Sequence, residues 1–148
     1  MQESMSENQS MTTVDDCRVI KIDRHHHHLG TLTVVQNSGQ LPFDVRRIYY
    51  IYDIPTESER GGHSHIEQES LIMAVGGSFD VLVSDGVQTK KFTLNRPYEG
   101  LYIPRGIWRS IDNFSSGSIV LVLASNDYCE DDYIRSYDDF VASKTQID

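Results

Sequence analysis

Two histidines one residue apart are the group of residues with the clearest chemical potential in this chain. His63 and His65 lie in the segment "GGHSHIEQES", and Glu69 follows four residues after the second histidine. On a β-strand, residues i and i+2 share a face, so both imidazole rings would project into one space. Two imidazoles and a carboxylate could bind a metal ion, or the rings could act as an acid and a base on an organic substrate.

The residues around the pair help to separate these alternatives. The spacing H-x-H-x3-E-x6-G, completed by Gly76, resembles the first motif of the cupin superfamily. A second cupin motif would carry a metal-binding histidine within residues 100–113, but Arg109 stands at that position. Arginine stays protonated and has no lone pair, so it cannot be a metal ligand. The arginine favours acid and base chemistry, while a metal bound by the two histidines and Glu69, or histidines that only pack in the core, remain alternatives.

Composition narrows the class of protein. The 148 residues include 22 Asp and Glu against 13 Lys and Arg, a net charge of -9, which argues against nucleic-acid or anionic-membrane binding. Cys17 and Cys129 are far apart, so no disulfide framework is indicated. No signal peptide or membrane span is evident, and we expect a cytoplasmic protein. We predict that residues 1–14 form a disordered polar tail and that residues 15–148 form one domain.

Short apolar stretches separated by Gly, Asn, Asp or Pro dominate the chain, which is typical of strands and turns. The predicted strands are the segments "GTLTVVQ", "RRIYYIYDI", "SLIMAVGGSFDVLVSD", "KKFTLN", "GLYIP" and "GSIVLVLAS". Asp85-Gly86 is a hairpin signal because both residues tolerate positive φ. Only residues 129–144 have apolar residues at helical spacing. We therefore predict an all-β fold, an antiparallel jelly-roll β-barrel of the cupin type with a short C-terminal helix.

Longer segments carry a more specific resemblance. These segments are "RRIYYIYDIP", "RGGHSH", "GSFDVLVSDG", "FTLNRPYEGLYIPRGIWRSIDNFSSGSIVLVLAS" and "DDYIRSYDDF". Together they resemble the sugar 3,4-ketoisomerase family, cupin enzymes that act on dTDP-4-keto-6-deoxyglucose in the biosynthesis of deoxyamino sugars. The resemblance implies an enzyme without a metal or other cofactor, and a cytoplasmic homodimer that exchanges an N-terminal strand.

Two departures from the family pattern stand out. The family often carries Arg-Gly before its first long strand, whereas this chain has Leu29-Gly30 after the four histidines His25–His28. We interpret the histidine run as a flexible loop, with an adventitious metal-binding tract as the alternative. The family's glutamine shortly after the paired histidines is replaced by Ser70, beside a retained Glu69.

The implied reaction moves a carbonyl from C4 to C3 of a hexose. It needs a base for the C3 proton, an acid that delivers a proton to C4, and stabilisation of an enediolate. Histidine suits both proton transfers because its pKa lies near neutral pH. We expect His65 to be the principal base and His63 to donate or polarise. Tyr49, on the same strand face as Arg47, could donate a hydrogen bond to the oxyanion, with ordinary packing as the alternative.

Charge and stacking indicate how the substrate would be held. The predicted substrate-binding residues are Arg47, Arg60, Arg109, Arg105, Trp108 and Glu69. Arg47 and Arg60 are the first candidates for the diphosphate, because planar guanidinium groups bind phosphate oxygens in pairs. A solvated surface position is the alternative for each arginine. Trp108 would stack on thymine or the sugar, or would fill the core.

Three rival functions remain open from the sequence. A 3,5-epimerase of the same dTDP-sugar would also use a histidine base in a cupin barrel. A cupin dioxygenase would bind iron through His63, His65 and Glu69. A non-catalytic sugar-binding cupin would bind the nucleotide sugar without turnover.

Overall fold

The computed structural model describes residues 12–37 and 39–145 of the chain. The strands within these ranges are β1 (Arg18–Lys21), β2 (Arg24–His27), β3 (Gly30–Thr33), β4 (Arg47–Ile51), β5 (Arg60–His65), β6 (Ser70–Gly76), β7 (Phe79–Ser84), β8 (Thr89–Leu94), β9 (Glu99–Ile103), β10 (Trp108–Asp112), β11 (Ile119–Ala124) and β12 (Tyr133–Ile134). The helices are the 3-10 turns Val14–Asp16 and Glu130–Asp132 and the α-helix α1 (Tyr137–Lys144). None of these helices is long and apolar enough to cross a membrane.

The strands form two five-stranded antiparallel sheets and a separate hairpin. The first sheet has the order β1-β9-β6-β11-β4, the second has the order β12-β5-β10-β7-β8, and β2 pairs only with β3 among the described strands. The predicted all-β fold with a short C-terminal helix is therefore confirmed. The term barrel is loose, since the two sheets do not close into one hydrogen-bonded cylinder.

The core lies between the two sheets. Ile72 and Val122 of the first sheet meet Val81 and Ile111 of the second in one buried cluster. Side chains alternate between the faces of each strand, so only one residue in two points into this layer. At the β5 and β10 end of the second sheet, the inward positions carry histidine and arginine instead of aliphatic side chains. This exchange of residue type creates a polar cavity inside an otherwise apolar layer.

A second apolar cluster covers the outer face of the first sheet. Leu71 and Met73 of β6 pack there against Phe43 and Leu41, which belong to the segment between β3 and β4. Strand β6 is consequently buried on both faces, which explains why its sequence, "SLIMAVG", shows no alternation of polar and apolar residues.

Two turns define the middle of the chain. The segment predicted as one long strand is two strands in different sheets, β6 and β7, because the chain turns at Gly77. Gly77 has a φ of 66°, and a Cβ there would approach the Ser118 Oγ to 2.9 Å, so the turn requires glycine. The hairpin predicted at Asp85-Gly86 is confirmed between β7 and β8, with Gly86 at a φ of 92°.

The C-terminal helix is shorter than predicted. It begins at Tyr137, after Ser136 accepts a hydrogen bond from the backbone N–H of Asp139. Residues 129–136, also predicted to be helical, instead form a 3-10 turn and strand β12, which pairs with the end of β5. Pairing with an available strand edge overrides the helical spacing of the apolar residues.

One further expectation is corrected. The histidine run is not a loop over His25–His27, since these residues belong to β2 and pair with β3. The predicted tail at residues 1–14 falls mostly outside the described residues, but Val14 is 1 % exposed and packs in the core. The backbone N–H of Val14 donates to Asp85 Oδ2, which holds this segment against the β7–β8 turn.

Candidate active site

A cavity of about 310 Å³ opens among inward-facing side chains of both sheets. Five of its lining residues are predicted from the sequence: Arg47 and Tyr49 on β4, Arg60 and His63 on β5, and Arg109 on β10. The strand period of two places Arg47 and Tyr49 on one face, as expected, and the Arg47 guanidinium lies 5.1 Å from the Tyr49 ring centre. The remaining polar wall is the segment 128–135, which contributes Tyr128, Tyr133 and Arg135.

The two histidines share a face of β5 but have different access to the cavity. Their ring centres are 4.9 Å apart and the rings are nearly perpendicular. His63 lines the cavity, and its buried Nε2 has no hydrogen-bond partner among the described residues. His65 is 0 % exposed and is not part of the cavity wall. The geometry therefore favours His63, and not His65, as the ring that a bound substrate would contact.

Hydrogen bonds hold His65 on both sides. Its Nδ1 lies 2.9 Å from Asp132 Oδ2, and its Nε2 lies 3.3 Å from Gln68 Nε2. The ring of Tyr133 packs against both histidines, with ring centres 4.4 Å from His65 and 5.1 Å from His63. Gln68, three residues after His65, also contacts the Ser70 hydroxyl through its Nε2 at 3.1 Å.

Both histidines are held neutral. Burial, followed by the charge of Arg109 and the proximity of His65, lowers the pKa of His63 to about 2. Burial lowers the pKa of His65 to about 4, against the opposing effect of its hydrogen bond to the Asp132 carboxylate. A neutral imidazole can accept a proton, whereas an imidazolium cannot. Burial also raises the pKa of Tyr49, which keeps its hydroxyl protonated as a donor.

Arg109 is a buried cation without a buried anion beside it. The residue is 2 % exposed, and its guanidinium makes only long contacts of 3.4 Å with the Ile107 carbonyl and the Ser70 hydroxyl. Among the described residues no carboxylate lies within ion-pair distance of it. A desolvated positive charge on the wall of a cavity can stabilise negative charge that develops on a ligand.

The other arginines of the cavity differ in how they are engaged. Arg47 donates from Nη2 to Gln68 Oε1 at 2.9 Å, and its buried Nε has no partner among the described residues. Arg135 pairs with Glu130 through two contacts of 2.8 and 3.0 Å. Arg60 is exposed at the edge of the cavity. These side chains provide positive charge where a diphosphate could lie.

Three predicted substrate-binding residues do not reach the cavity. Trp108 lies on the opposite face of β10 from Arg109 and packs against Tyr137 and Phe140 of α1, with ring centres 5.3 and 5.8 Å apart. Arg105 is not part of the cavity wall, and its carbonyl accepts a hydrogen bond from the Thr12 hydroxyl. Their placement follows from strand alternation at β10 and from the turn before it.

Glu69 is the third of these residues, and its position bears on metal binding. Its carboxylate accepts a hydrogen bond from the Tyr102 hydroxyl at 2.5 Å, beside the outer cluster of the first sheet and away from the two histidines. The set of ligands proposed for iron is therefore not assembled. Across residues 12–37 and 39–145, no group of three or more His, Cys, Asp or Glu side chains is placed to hold a metal ion.

Sequence reasoning missed Asp132, Gln68, Tyr133 and Arg135. Asp132 and Tyr133 fall in the segment read as helical, and Asp132 is 67 residues from the histidine that it contacts. The available signal was the acidic run Glu130–Asp132 directly before two residues with high strand propensity, Tyr133 and Ile134.

Comparisons with known proteins identify the family of this chain. The family model FdtA: WxcM-like, C-terminal, matches residues 15–145. A TDP-4-oxo-6-deoxy-alpha-D-glucose-3,4-oxoisomerase from Aneurinibacillus thermoaerophilus is 37% identical over 123 residues, which cover 83% of this chain and 88% of that protein.

Solved structures of 3,4-ketoisomerases are also similar to this chain. A 3,4-ketoisomerase from Helicobacter canadensis has a TM-score of 0.86 and 39% identity, and the match covers 88% of this chain and 98% of that one. A variant of the 3,4-ketoisomerase QdtA from Thermoanaerobacterium thermosaccharolyticum, in complex with TDP-4-keto-6-deoxyglucose, has a TM-score of 0.84 and 34% identity, with 89% and 97% covered.

One more distant structure bears on the fold alone. A dTDP-4-dehydrorhamnose 3,5-epimerase from Bacillus anthracis has a TM-score of 0.71 and 17% identity, with 82% of this chain and 79% of that chain covered. An epimerase thus shares the architecture, whereas the relatives above one third identity are ketoisomerases. The chain belongs to the FdtA, WxcM-like C-terminal, family of TDP-sugar 3,4-ketoisomerases.

Proposed function

We propose that this protein converts TDP-4-keto-6-deoxyglucose to the corresponding 3-keto sugar. The observation that carries the proposal is one cavity in which the unpartnered Nε2 of a neutral histidine, His63, occurs together with the buried guanidinium of Arg109. An enediolate reaction needs a base, an acid that returns the proton and an oxyanion stabiliser; in this cavity His63 can serve as the base and, once protonated, as the acid, and Arg109 as the stabiliser. The relatives named above act on the same class of substrate.

The first step would remove a proton. The C3 hydrogen is acidic because C3 is adjacent to the C4 carbonyl, and the lone pair of the neutral His63 ring can accept it. The electrons of the C–H bond then form the C3–C4 double bond, and the C4 oxygen becomes an enolate oxygen. The Tyr49 hydroxyl and the Arg109 guanidinium can donate to the enediolate oxygens. Removing a donor of this kind costs about 2.7–4 kcal/mol of transition-state stabilisation in comparable enzymes.

The second step would return the proton to C4. The proton of the C3 hydroxyl passes to the C4 oxygen, which becomes the new hydroxyl; the C3 oxygen becomes the new carbonyl, and C4 takes up the proton from the His63 imidazolium. Burial and the charge of Arg109 both disfavour that imidazolium, so it is a strong acid once formed. With a pKa of about 2, His63 is a weak base before the substrate binds. A bound diphosphate and the developing enolate would raise this pKa, because nearby negative charge favours the protonated ring.

Arg47, Arg60 and Arg135 would bind the diphosphate. All three line the cavity, and guanidinium groups donate paired hydrogen bonds to phosphate oxygens. Arg135 would exchange its contact with Glu130 for a phosphate oxygen. Replacing Arg60 with Met should therefore raise KM for the nucleotide sugar about tenfold with a smaller change in kcat, which steady-state kinetics measures. The control is Arg18→Met, a change on the outer strand β1. A KM unaffected by the Arg60 change would contradict this role.

Product analysis tests the reaction itself. The purified protein is incubated with TDP-4-keto-6-deoxyglucose in D2O, and the product is analysed by NMR. Migration of the carbonyl to C3 is expected. Deuterium at C5 without carbonyl migration would instead identify a 3,5-epimerase. Binding without any change of the sugar would identify a non-catalytic module.

We further propose that the protein is a cytoplasmic homodimer with exchanged N-terminal strands. The β2–β3 hairpin exposes Leu29 and Leu32, and it pairs with no other described strand. An isolated hairpin is marginally stable, so a second copy that covers it would stabilise both chains. Light scattering should give twice the mass of one chain. A monomer at working concentration would refute the exchange.

A further inference from the structure

Both ends of the described chain meet at the turn before β10. Lys144, the last residue of α1, places its Nζ 2.8 Å from the backbone oxygen of Thr12, 2.8 Å from the Thr12 hydroxyl and 2.9 Å from the Gly106 carbonyl oxygen. An ammonium group has three N–H bonds, so it can donate one hydrogen bond to each of these oxygens. We call Lys144, Thr12 and the turn at residues 105–107 the terminal network.

The ammonium group of Lys144 fixes two neighbouring carbonyl groups of this turn. The Gly106 carbonyl accepts directly from Lys144. The Thr12 hydroxyl accepts from Lys144 and donates in turn to the Arg105 carbonyl at 3.0 Å. A hydroxyl can accept and donate at the same time, so one side chain orients both carbonyls.

The third carbonyl of the turn contacts the active-site arginine. Ile107 is 0 % exposed, and its carbonyl accepts from Nε and Nη2 of Arg109, each at 3.4 Å. Gly106 has a φ of 75°, and its N–H donates to the backbone oxygen of His65 at 2.9 Å. Peptide units are planar, so a change in the direction of the Gly106 carbonyl would rotate the unit that joins it to Ile107 and displace the Ile107 carbonyl. The position of the guanidinium therefore depends on the turn.

The ammonium group lies at the edge of another cavity, of about 380 Å³, which Thr12, Asp85 and Lys144 help to line. Burial lowers the pKa of Lys144 to about 8, against the attraction of the Asp85 and Asp16 carboxylates; the Cys17 thiol is the other titratable group that acts on it. A neutral amine has only two N–H bonds. Loss of the third proton therefore leaves one of the three oxygens without its donor.

We propose that Lys144 is a positioning residue, which through its bonds to Thr12 and Gly106 holds the guanidinium of Arg109 where it stabilises the reacting sugar. Lys144 does not line the substrate cavity, so it acts on the reaction through Arg109. The role of Arg109 rests on the proposed ketoisomerase function, whereas the terminal network and its effect on the guanidinium are properties of the ligand-free chain.

Steady-state kinetics on TDP-4-keto-6-deoxyglucose tests the effect on the reaction. Lys144→Met keeps an unbranched side chain and removes every donor. Its kcat should fall about tenfold or more with KM little changed, because a small displacement of a reacting group slows the reaction without removing binding contacts. The matched control, Lys91→Met, makes the same change on the exposed strand β8 and should leave kcat unchanged. Lys144→Arg keeps a charged donor and should restore most of the rate.

The pH dependence separates positioning from a purely structural role. In the unaltered protein, kcat should fall as the pH rises through about 8, because the ammonium group loses a donor. In Lys144→Arg this fall should be absent, since arginine stays protonated. The same fall in Lys144→Arg would overturn the proposal.

NMR of the ligand-free protein tests the link to the guanidinium without turnover. The Nε–H signal of Arg109, assigned with Arg109→Met, should shift in Lys144→Met and stay in place in Lys91→Met. An unchanged Arg109 signal, or an unchanged kcat in folded Lys144→Met, would also overturn the proposal. If Lys144→Met does not fold, the pH profiles of the unaltered protein and Lys144→Arg decide. An unaltered protein without turnover would refute the ketoisomerase function and leave the NMR test valid.

Discussion

Replacement of Arg109 by methionine should separate catalysis from stability. The guanidinium is 2 % exposed, has no ion-pair partner among the described residues and makes only contacts of 3.4 Å. Burying such a charge is costly, and exchanging buried charges for apolar side chains of similar volume is often neutral or stabilising by about 1 to 4 kcal/mol. The free energy of unfolding should therefore stay the same or increase.

The same replacement should strongly impair turnover. Loss of one donor to an enediolate oxygen is worth about 2.7–4 kcal/mol, which lowers kcat by a factor of about 10² to 10³. Removing the charge should also raise the pKa of His63 and His65, since Arg109 lowers both. The assays are chemical denaturation, steady-state kinetics and NMR titration of the histidines.

A matched control is available four residues earlier. Arg105→Met removes the same group outside the cavity and should leave kcat within a factor of about two, as expected of a surface change. A marked loss of stability in Arg109→Met with unchanged kcat would refute the reasoning, because the arginine would then be a structural residue.

Three further predictions follow from the site. TDP binding should raise the pKa of His63 by about one unit or more, because the diphosphate brings negative charge to the cavity; NMR titration measures this, and an unchanged or lower value would contradict it. Acidification from pH 6.5 towards 4 should reduce the free energy of unfolding by up to about 1.4 kcal/mol per pH unit for each of His63 and His65. The sign follows from the pKa values of the two histidines, which are lower in the folded protein, so the unfolded chain binds more protons in this range. In His65→Asn the free energy of unfolding should depend less steeply on pH, and a slope equal to that of the unaltered protein would contradict the prediction. Trp108→Ala should lower Tm because the ring packs against α1, while KM for the nucleotide sugar stays unchanged; a raised KM would place the ring in the binding site.

Strand periodicity was enough to predict the part of the site that lies on regular strands. A period of two placed His63 with His65 and Arg47 with Tyr49, and both pairs share a face. The same rule, applied to Trp108 and Arg109, would have placed adjacent residues on opposite faces of β10. Burial was harder to predict. The choice between His63 and His65 depends on which ring the Tyr133 side chain and the neighbouring strands cover.

The remaining part of the site depends on contacts between distant segments. Asp132 reaches His65 only because β12 pairs with β5, which the sequence of residues 129–136 does not indicate. The position of Gln68 depends on the turn after β5, where Asp132 accepts two backbone N–H groups. The local sequence does not indicate such pairings, because each depends on a strand edge that is available for hydrogen bonding and on a distant segment that can pair with it.

The most direct test of the central claim compares the unaltered protein with His63→Asn on TDP-4-keto-6-deoxyglucose, with product NMR as the readout. The account predicts a 3-keto product for the unaltered protein and a loss of at least about 10²-fold in turnover for the variant, with its fold retained. Unchanged turnover in His63→Asn would contradict the account.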